Sequence, residues 1–164
     1  MATTAAPTFF PPYKINNVSY LDGGVHLNNP SQAAYCEALR HFERQKRNVE
    51  RENMFVLSLG TGSYMPDPFN PELCEGQLFW ARNFHTVALA AQESNIDAAM
   101  YLNLRENYTR WQTCLDGPIF LDDATCMEHL LELGYQYIEE LYESDDNEMN
   151  KLIERLLKDH TFIF

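Results

Sequence analysis

The chain has 164 residues, 45% of them hydrophobic and 13% aromatic, enough for a real core, since a domain of about 150 residues hides roughly 70% of its unfolded surface. With 24 acidic against 12 basic residues the formal charge is -12, a field that argues against nucleic acid as a partner and against electrostatic docking on an anionic membrane, though not against one lipid in a pocket. No apolar run approaches the roughly 20 residues that cross a bilayer, and "MATTAAPTFFPP" lacks the basic start and long apolar stretch of a signal peptide.

The segment Ala2 to Pro12, "ATTAAPTFFPP", is small, apolar and proline-dense, and reads like the middle of a domain rather than its edge. Val18 to Leu21 is expected as a short strand that Gly23-Gly24 ends. Asp22 sits between them, beside two glycines that permit positive φ and leave room for another group to approach. Asn29 is expected to cap a helix with Pro30 in its first position, where the missing N–H costs nothing. That helix should run to about Arg47 with Tyr35, Leu39 and Phe42 on one face. Its other side, "RHFERQKRNVERE", mixes signs and reads as solvated surface.

Met54 to Leu59, "MFVLSL", closed by "GTG", is the strongest strand and suits a parallel sheet buried on both faces. "SYMPDPFNPELCEG" is loop, punctuated by prolines. From Leu78 to about Leu102 the apolar residues Trp80, Phe84, Val87, Ala88, Ala91, Ala98 and Leu102 recur at helical spacing. Tyr108 to Gln112 alternates as a strand. Asp122-Asp123 favour a helix start, followed by Met127, Leu130, Leu131, Gly134, Ile138 and Leu141. A last helix carries Met149, Leu152, Ile153, Leu156 and Leu157.

This alternation of strand and helix predicts an α/β fold with a mostly parallel sheet flanked by helices. Three strands make a thin sheet for so many helices, so residues 1–164 are read as one incomplete domain without repeats or an interdomain linker. Cys36, Cys74, Cys114 and Cys126 have no C-x-x-C spacing and predict separate buried thiols in a reducing compartment. His26, His41, His85, His129 and His160 show no i, i+4 ligand pair, and Asp122-Asp123 and Asp145-Asp146 lack calcium-loop spacing. Neither a metal nor a cofactor is expected. Two sequons, at Asn17 and Asn107, match the glycosylation pattern without implying secretion.

In open α/β sheets the working groups gather at the carboxyl ends of strands, where Asp22 falls. A carboxylate so placed can accept a proton from a hydroxyl nucleophile. The plainer reading is an Asx-turn to its own backbone, which aspartates before glycine often make. The neighbouring residues shift that balance. "ATTAAPTFFPP", then "YLDGGVHLNNP", then "VLSLGTG", in this order and spacing, resemble the C-terminal half of the patatin-like phospholipase domain. "NYTRWQ" and "LDDAT" continue the resemblance, which covers about residues 2–142 and leaves 143–164 as a helical extension. Thr4 stands where the family commonly has serine.

The resemblance implies a partial three-layer fold truncated on its N-terminal side. It also implies a serine acyl hydrolase acting on lipid or other acyl esters through a Ser–Asp dyad, with Asp22 of the Asp22-Gly23-Gly24 motif as the dyad carboxylate. In this family a serine in G-x-S-x-G attacks the ester, and a glycine-rich loop supplies N–H groups to the oxyanion. Here none of Ser19, Ser31, Ser58, Ser63, Ser94 and Ser144 has glycine two residues before and two after. The glycine-rich loop is missing as well. His26 receives no role from the motif and is read as structural or surface. The alternative is a non-catalytic, shortened scaffold acting as an interaction protein; assembly with a separate chain that carries the nucleophile is a further one. Either way, apolar strand edges left uncovered predict association or poor solubility. The expected location is cytoplasmic, with export as an effector the alternative.

Overall fold

The computed structural model describes residues 2–7, 9–64, 76–120, 122–144 and 146–158, excepting the side chains of Arg82 and His85. Most of the proline-punctuated loop, with Cys74, lies outside the described residues. The chain is mixed α/β. It forms two compact units, one of residues 1–61 with 66–112 and one of residues 62–65 with 113–164.

The first unit begins with a 3-10 turn at Ala2–Thr4, then β1 (Tyr13–Ile15) and β2 (Val18–Tyr20). The two strands pair antiparallel, Ile15 opposite Val18, so only Asn16 and Asn17 turn the corner. Both have positive φ, 48° and 63°, as a type I′ hairpin turn requires and as asparagine tolerates better than most residues. The strand read at Val18–Leu21 therefore exists one residue shorter, in a hairpin instead of the parallel sheet. Its partner β1 had no sequence signal of its own.

A short helix, α1 (Gly24–Leu27), leads to α2 (Ser31–Arg44). Pro30, not Asn29, is the residue at the α2 cap position, while the Asn29 side chain accepts the Ser31 N–H at 3.1 Å. Tyr35 is buried and Leu39 and Phe42 are half-buried, the face that the spacing predicts. Arg44 and Arg40 pair with Glu37 on the exposed side.

Strand β3 (Val56–Leu59) runs parallel to β4 (Tyr108–Trp111), with Val56 opposite Tyr108 and Leu59 opposite Trp111. Burial on both faces is not what the structure shows: Ser58 is buried but Leu59 is 67% exposed. Among the described residues the parallel sheet has two strands, so one edge of β3 pairs with no other strand.

Between these strands runs the long helix α3 (Gln77–Leu104). Its buried stripe is not the one that the apolar spacing predicts. Trp80, Phe84, Val87, Ala88, Ala91, Ala98 and Leu102 are exposed, whereas Ile96, Met100 and Leu104, spaced four apart, enter the core. A helix apolar on most sides carries several candidate stripes, and its neighbours decide which one is buried. The core consists of Tyr35, Ile96, Met100, Leu104 and Tyr108, with Leu39, Met54 and Val56 packed against it. Asn107 is buried, its Nδ2 donating to the Glu52 carbonyl at 3.0 Å, so this sequon is not presented to solvent.

In the second unit, Ser63 and Cys114 form an isolated parallel bridge. Asp123 caps a 3-10 turn at Ala124–Cys126, which leads into α4 (Met127–Glu143), and α5 (Glu148–Lys158) follows. Of the positions expected on the buried face of α4, Leu141 is buried and Leu130 half-buried, while Met127, Leu131 and Ile138 are exposed. On α5, Met149 and Leu152 are half-buried, but Ile153, Leu156 and Leu157 are exposed. The thiols also depart from expectation: Cys36 and Cys114 are exposed and Cys126 half-buried, all three free.

No helix among the described residues is long and apolar enough to cross a membrane.

Candidate active site

Asp22 lies in the turn between β2 and α1, half-buried. Its N–H donates to the Ala5 carbonyl at 3.1 Å, and Ala5, from the "ATTAAP" segment, is itself buried. One backbone bond thus ties the first of the matching segments to the second. The carboxylate accepts the Gly24 N–H on Oδ1 at 2.6 Å. This is the Asx-turn of the plainer reading, and it is present. Oδ2 has no hydrogen-bond partner among the described residues.

The two glycines do not act as expected. Neither has positive φ: Gly23 lies in the right-handed helical region at φ -61° and ψ -29°. Their smallness is used differently. A Cβ on Gly24 would stand 3.1 Å from Asp22 Oδ1, tighter than ordinary contact, so Gly24 admits the close carboxylate. A Cβ on Gly23 would meet nothing within 4 Å, which leaves open space beside the aspartate. The side chain of His26 is exposed, the surface reading given to it from sequence.

The segment after Asp22 is held from α3. Gln92 Oε1 accepts the Asn28 N–H at 3.3 Å, and Gln92 Nε2 donates to the His26 carbonyl. The next residue, Glu93, pairs with Arg110 of β4. Arg110 Nη1 donates to Ser58 Oγ at 2.7 Å, and Ser58 Oγ is 3.5 Å from Asn29 Oδ1. Gln112 Nε2 reaches Glu93 at 3.4 Å. These contacts form a polar chain from α3 through β4 and β3 to the start of α2.

Such a network is strong only when each member is satisfied. Asn29 is fully buried, and its Nδ2, like Ser31 Oγ and the Tyr35 hydroxyl, finds no hydrogen-bond partner among the described residues.

Gln92, Glu93 and Arg110 were not singled out by sequence. Their signal was faint but present: four consecutive polar residues, Gln92 to Asn95, interrupt the apolar repeat of the helix, and a cation stands inside an alternating strand. Two surface concavities are lined by residues of α2 and its following loop (Cys36, Leu39, Phe42 and Val49 among them) and by Gly76, Trp80 and Phe84 at the start of α3. Neither includes Asp22.

Residues 1–35 match the family model described as patatin-like phospholipase. Over 162 residues, 98% of the chain, the sequence is 28% identical to a calcium-independent phospholipase A2-gamma of Rattus norvegicus, covering 20% of that protein. It is 33% identical over 63 residues to a cGAMP-activated phospholipase of Escherichia coli (strain TW11681), covering 37% of this chain and 17% of that one. A third relative, "Probable inactive patatin-like protein 9" of Arabidopsis thaliana, is 38% identical over 68 residues, again 37% of this chain and 17% of the relative. The chain therefore spans about a fifth of the length of these curated relatives or less.

Proposed function

We propose, from the premise that this chain belongs to the patatin-like phospholipase family, that it is the later part of a serine acyl hydrolase acting on lipid esters, with Asp22 as the proton acceptor of a Ser–Asp dyad. The nucleophile belongs to sequence outside these 164 residues, as does the glycine-rich oxyanion loop, and the domain they complete is the three-layer patatin-like fold. In the reaction, Asp22 takes the hydroxyl proton as the serine oxygen attacks the ester carbonyl carbon. The proton then passes to the leaving alcohol as its bond to carbon breaks, and water repeats the sequence on the acyl-serine.

The observation that carries this reading is the divided carboxylate. One oxygen is oriented by the Gly24 N–H, while the other is left without a partner among the described residues, next to a glycine with space around it. The Asx-turn and the dyad role are therefore compatible: the turn holds the group in place and leaves an acceptor free.

Joined in frame to a segment bearing G-x-S-x-G, the chain should hydrolyse a long-chain acyl ester, and Asp22→Asn should lower turnover by at least about a hundredfold without loss of fold. Turnover that survives Asp22→Asn, or turnover by the 164 residues alone, would remove Asp22 or the outside serine from the scheme. The second reading, a scaffold without chemistry, is favoured by the lack of any G-x-S-x-G serine in the chain; it expects no turnover from the joined protein.

A further inference from the structure

Asp22 is oriented by one backbone amide, that of Gly24, and Gly24 begins a helix of only four residues. A helix that short has little stability of its own, because several dihedrals are fixed for the first hydrogen bonds gained. It is not held by burial either: Val25 is 53% exposed and Leu27 36%. What fastens it is a side chain 66 residues along the sequence.

The Gln92 carboxamide presents one acceptor and two donor hydrogens on a single planar group. It uses the acceptor for the Asn28 N–H at 3.3 Å and the amide nitrogen for the His26 carbonyl. The same residue, His26, is tied back on its N-terminal side, since its N–H donates to the Gly23 carbonyl at 3.1 Å. Leu27 N–H donates to that carbonyl as well, at 2.8 Å. Gln92 thus grips the far end of a short hydrogen-bonded unit whose near end is the Asp22-Gly23-Gly24 turn.

We infer that Gln92 is a positioning residue for Asp22, its clasp on His26 and Asn28 holding the turn whose Gly24 N–H orients the Asp22 carboxylate. Its catalytic meaning rests on Asp22 being the proton acceptor, but the linkage itself is mechanical. An amide is the group the task needs. Methionine matches its length and helix propensity but neither donates nor accepts strongly. Glutamate keeps an acceptor for Asn28 and sets an oxygen against the His26 carbonyl.

The test is amide hydrogen exchange by NMR on the 164-residue chain. Asp22→Ala supplies the rate of a Gly24 amide without its acceptor. Gln92→Met should speed exchange at both Asn28 and Gly24 by roughly threefold to tenfold, the range of one neutral hydrogen bond, and leave Ile96, Met100 and Leu104 unchanged. Gln92→Glu should keep Asn28 protected and speed Gly24. A Gln92→Met chain in which Asn28 accelerates while Gly24 does not would show local tethering only and overturn the inference, as would no change at either amide. Ester turnover that survives Asp22→Asn sinks the catalytic reading without moving these exchange rates, so the two fail separately.

Discussion

Ser58 and Arg110 stand opposite each other in the parallel register of β3 and β4, and Arg110 Nη1 donates to Ser58 Oγ at 2.7 Å. The same guanidinium pairs with Glu93 on α3, so one residue joins the sheet to the helix and, through Ser58, reaches the start of α2. The guanidinium suits this position because its rigid fork of donors can serve two acceptors at once.

Removing that cation leaves a carboxylate with little solvent to replace it. The side chains of Arg110 and Glu93 are 12% and 23% exposed. Arg110→Met should destabilise the chain by about 2 kcal/mol, below the cost of breaking a fully buried pair because Glu93 keeps some water. Adding Glu93→Gln should return most of the loss. Urea midpoints of the four chains in this cycle measure the coupling, and simple additivity would show that the pair does not act as a unit.

The glycines of "LGTG" should respond unequally to alanine. Gly62 has φ +101° and a Cβ there would lie 2.8 Å from Leu115 Cδ2, so Gly62→Ala combines backbone strain with a clash. A cost of about 2 kcal/mol is expected. Gly60→Ala would drive its Cβ into the Gln112 carboxamide, the end of a flexible side chain, while leaving Arg110 Nη2 at 3.1 Å. Gln112 can swing away at the loss of its side-chain polar contacts, about 1 kcal/mol. Thermal denaturation of both variants checks the order, and equal costs would contradict it.

At the start of α4 a carboxylate and a thiol shift each other. Asp123 accepts from Thr125 Oγ1 at 2.5 Å, from Cys126 Sγ at 3.2 Å and from Thr125 N–H at 3.0 Å. These bonds hold its carboxyl below the ordinary aspartate value, Thr125 contributing most. The hydrogen bond to Asp123, ahead of burial and the nearby negative charge, raises the Cys126 thiol. Because the folded value of Asp123 is depressed, its stabilising effect is complete above the unfolded value, about 3.9, and is lost as pH falls through the lower folded one. The Thr125 amide should accordingly keep its chemical shift down to about pH 4 and move only in stronger acid. Near pH 8, Cys126 should alkylate more slowly than Cys36 and Cys114, with Asp123→Asn narrowing the gap. Peptide-resolved mass spectrometry gives the three rates, and Cys126 reacting fastest would refute the assignment.

Large apolar side chains stand in solvent on α3 and at the end of β3. Leu78 is 79% exposed and Phe84 66% on α3, and Leu59 is 67% exposed at the end of β3. Surface of this kind favours self-association. Sedimentation velocity should therefore show a concentration-dependent rise in mass that Phe84→Glu weakens. A chain that stays monomeric across that range would leave this surface without the predicted consequence.

Much of the local architecture was legible in the residues themselves. Tyr35, Leu39 and Phe42 announced the inner face of α2, "MFVLSL" and "YTRWQ" announced the two strands that pair in parallel, and Asp22 before glycine announced an Asx-turn. The reason is that repeat period, caps and turn residues act within a few positions of one another. Which stripe of α3 is buried could not be read that way, because a helix apolar on most sides leaves the choice to its neighbours. Nor could the pairing of β2 with β1, the right-handed backbone of Gly23, or the grip of Gln92 on His26 be read, since each depends on groups meeting in space. Local chemistry wrote the elements of this protein. Long-range contact chose their faces and brought α3 against the aspartate's turn, because burial and hydrogen-bond geometry are decided only once distant segments pack together.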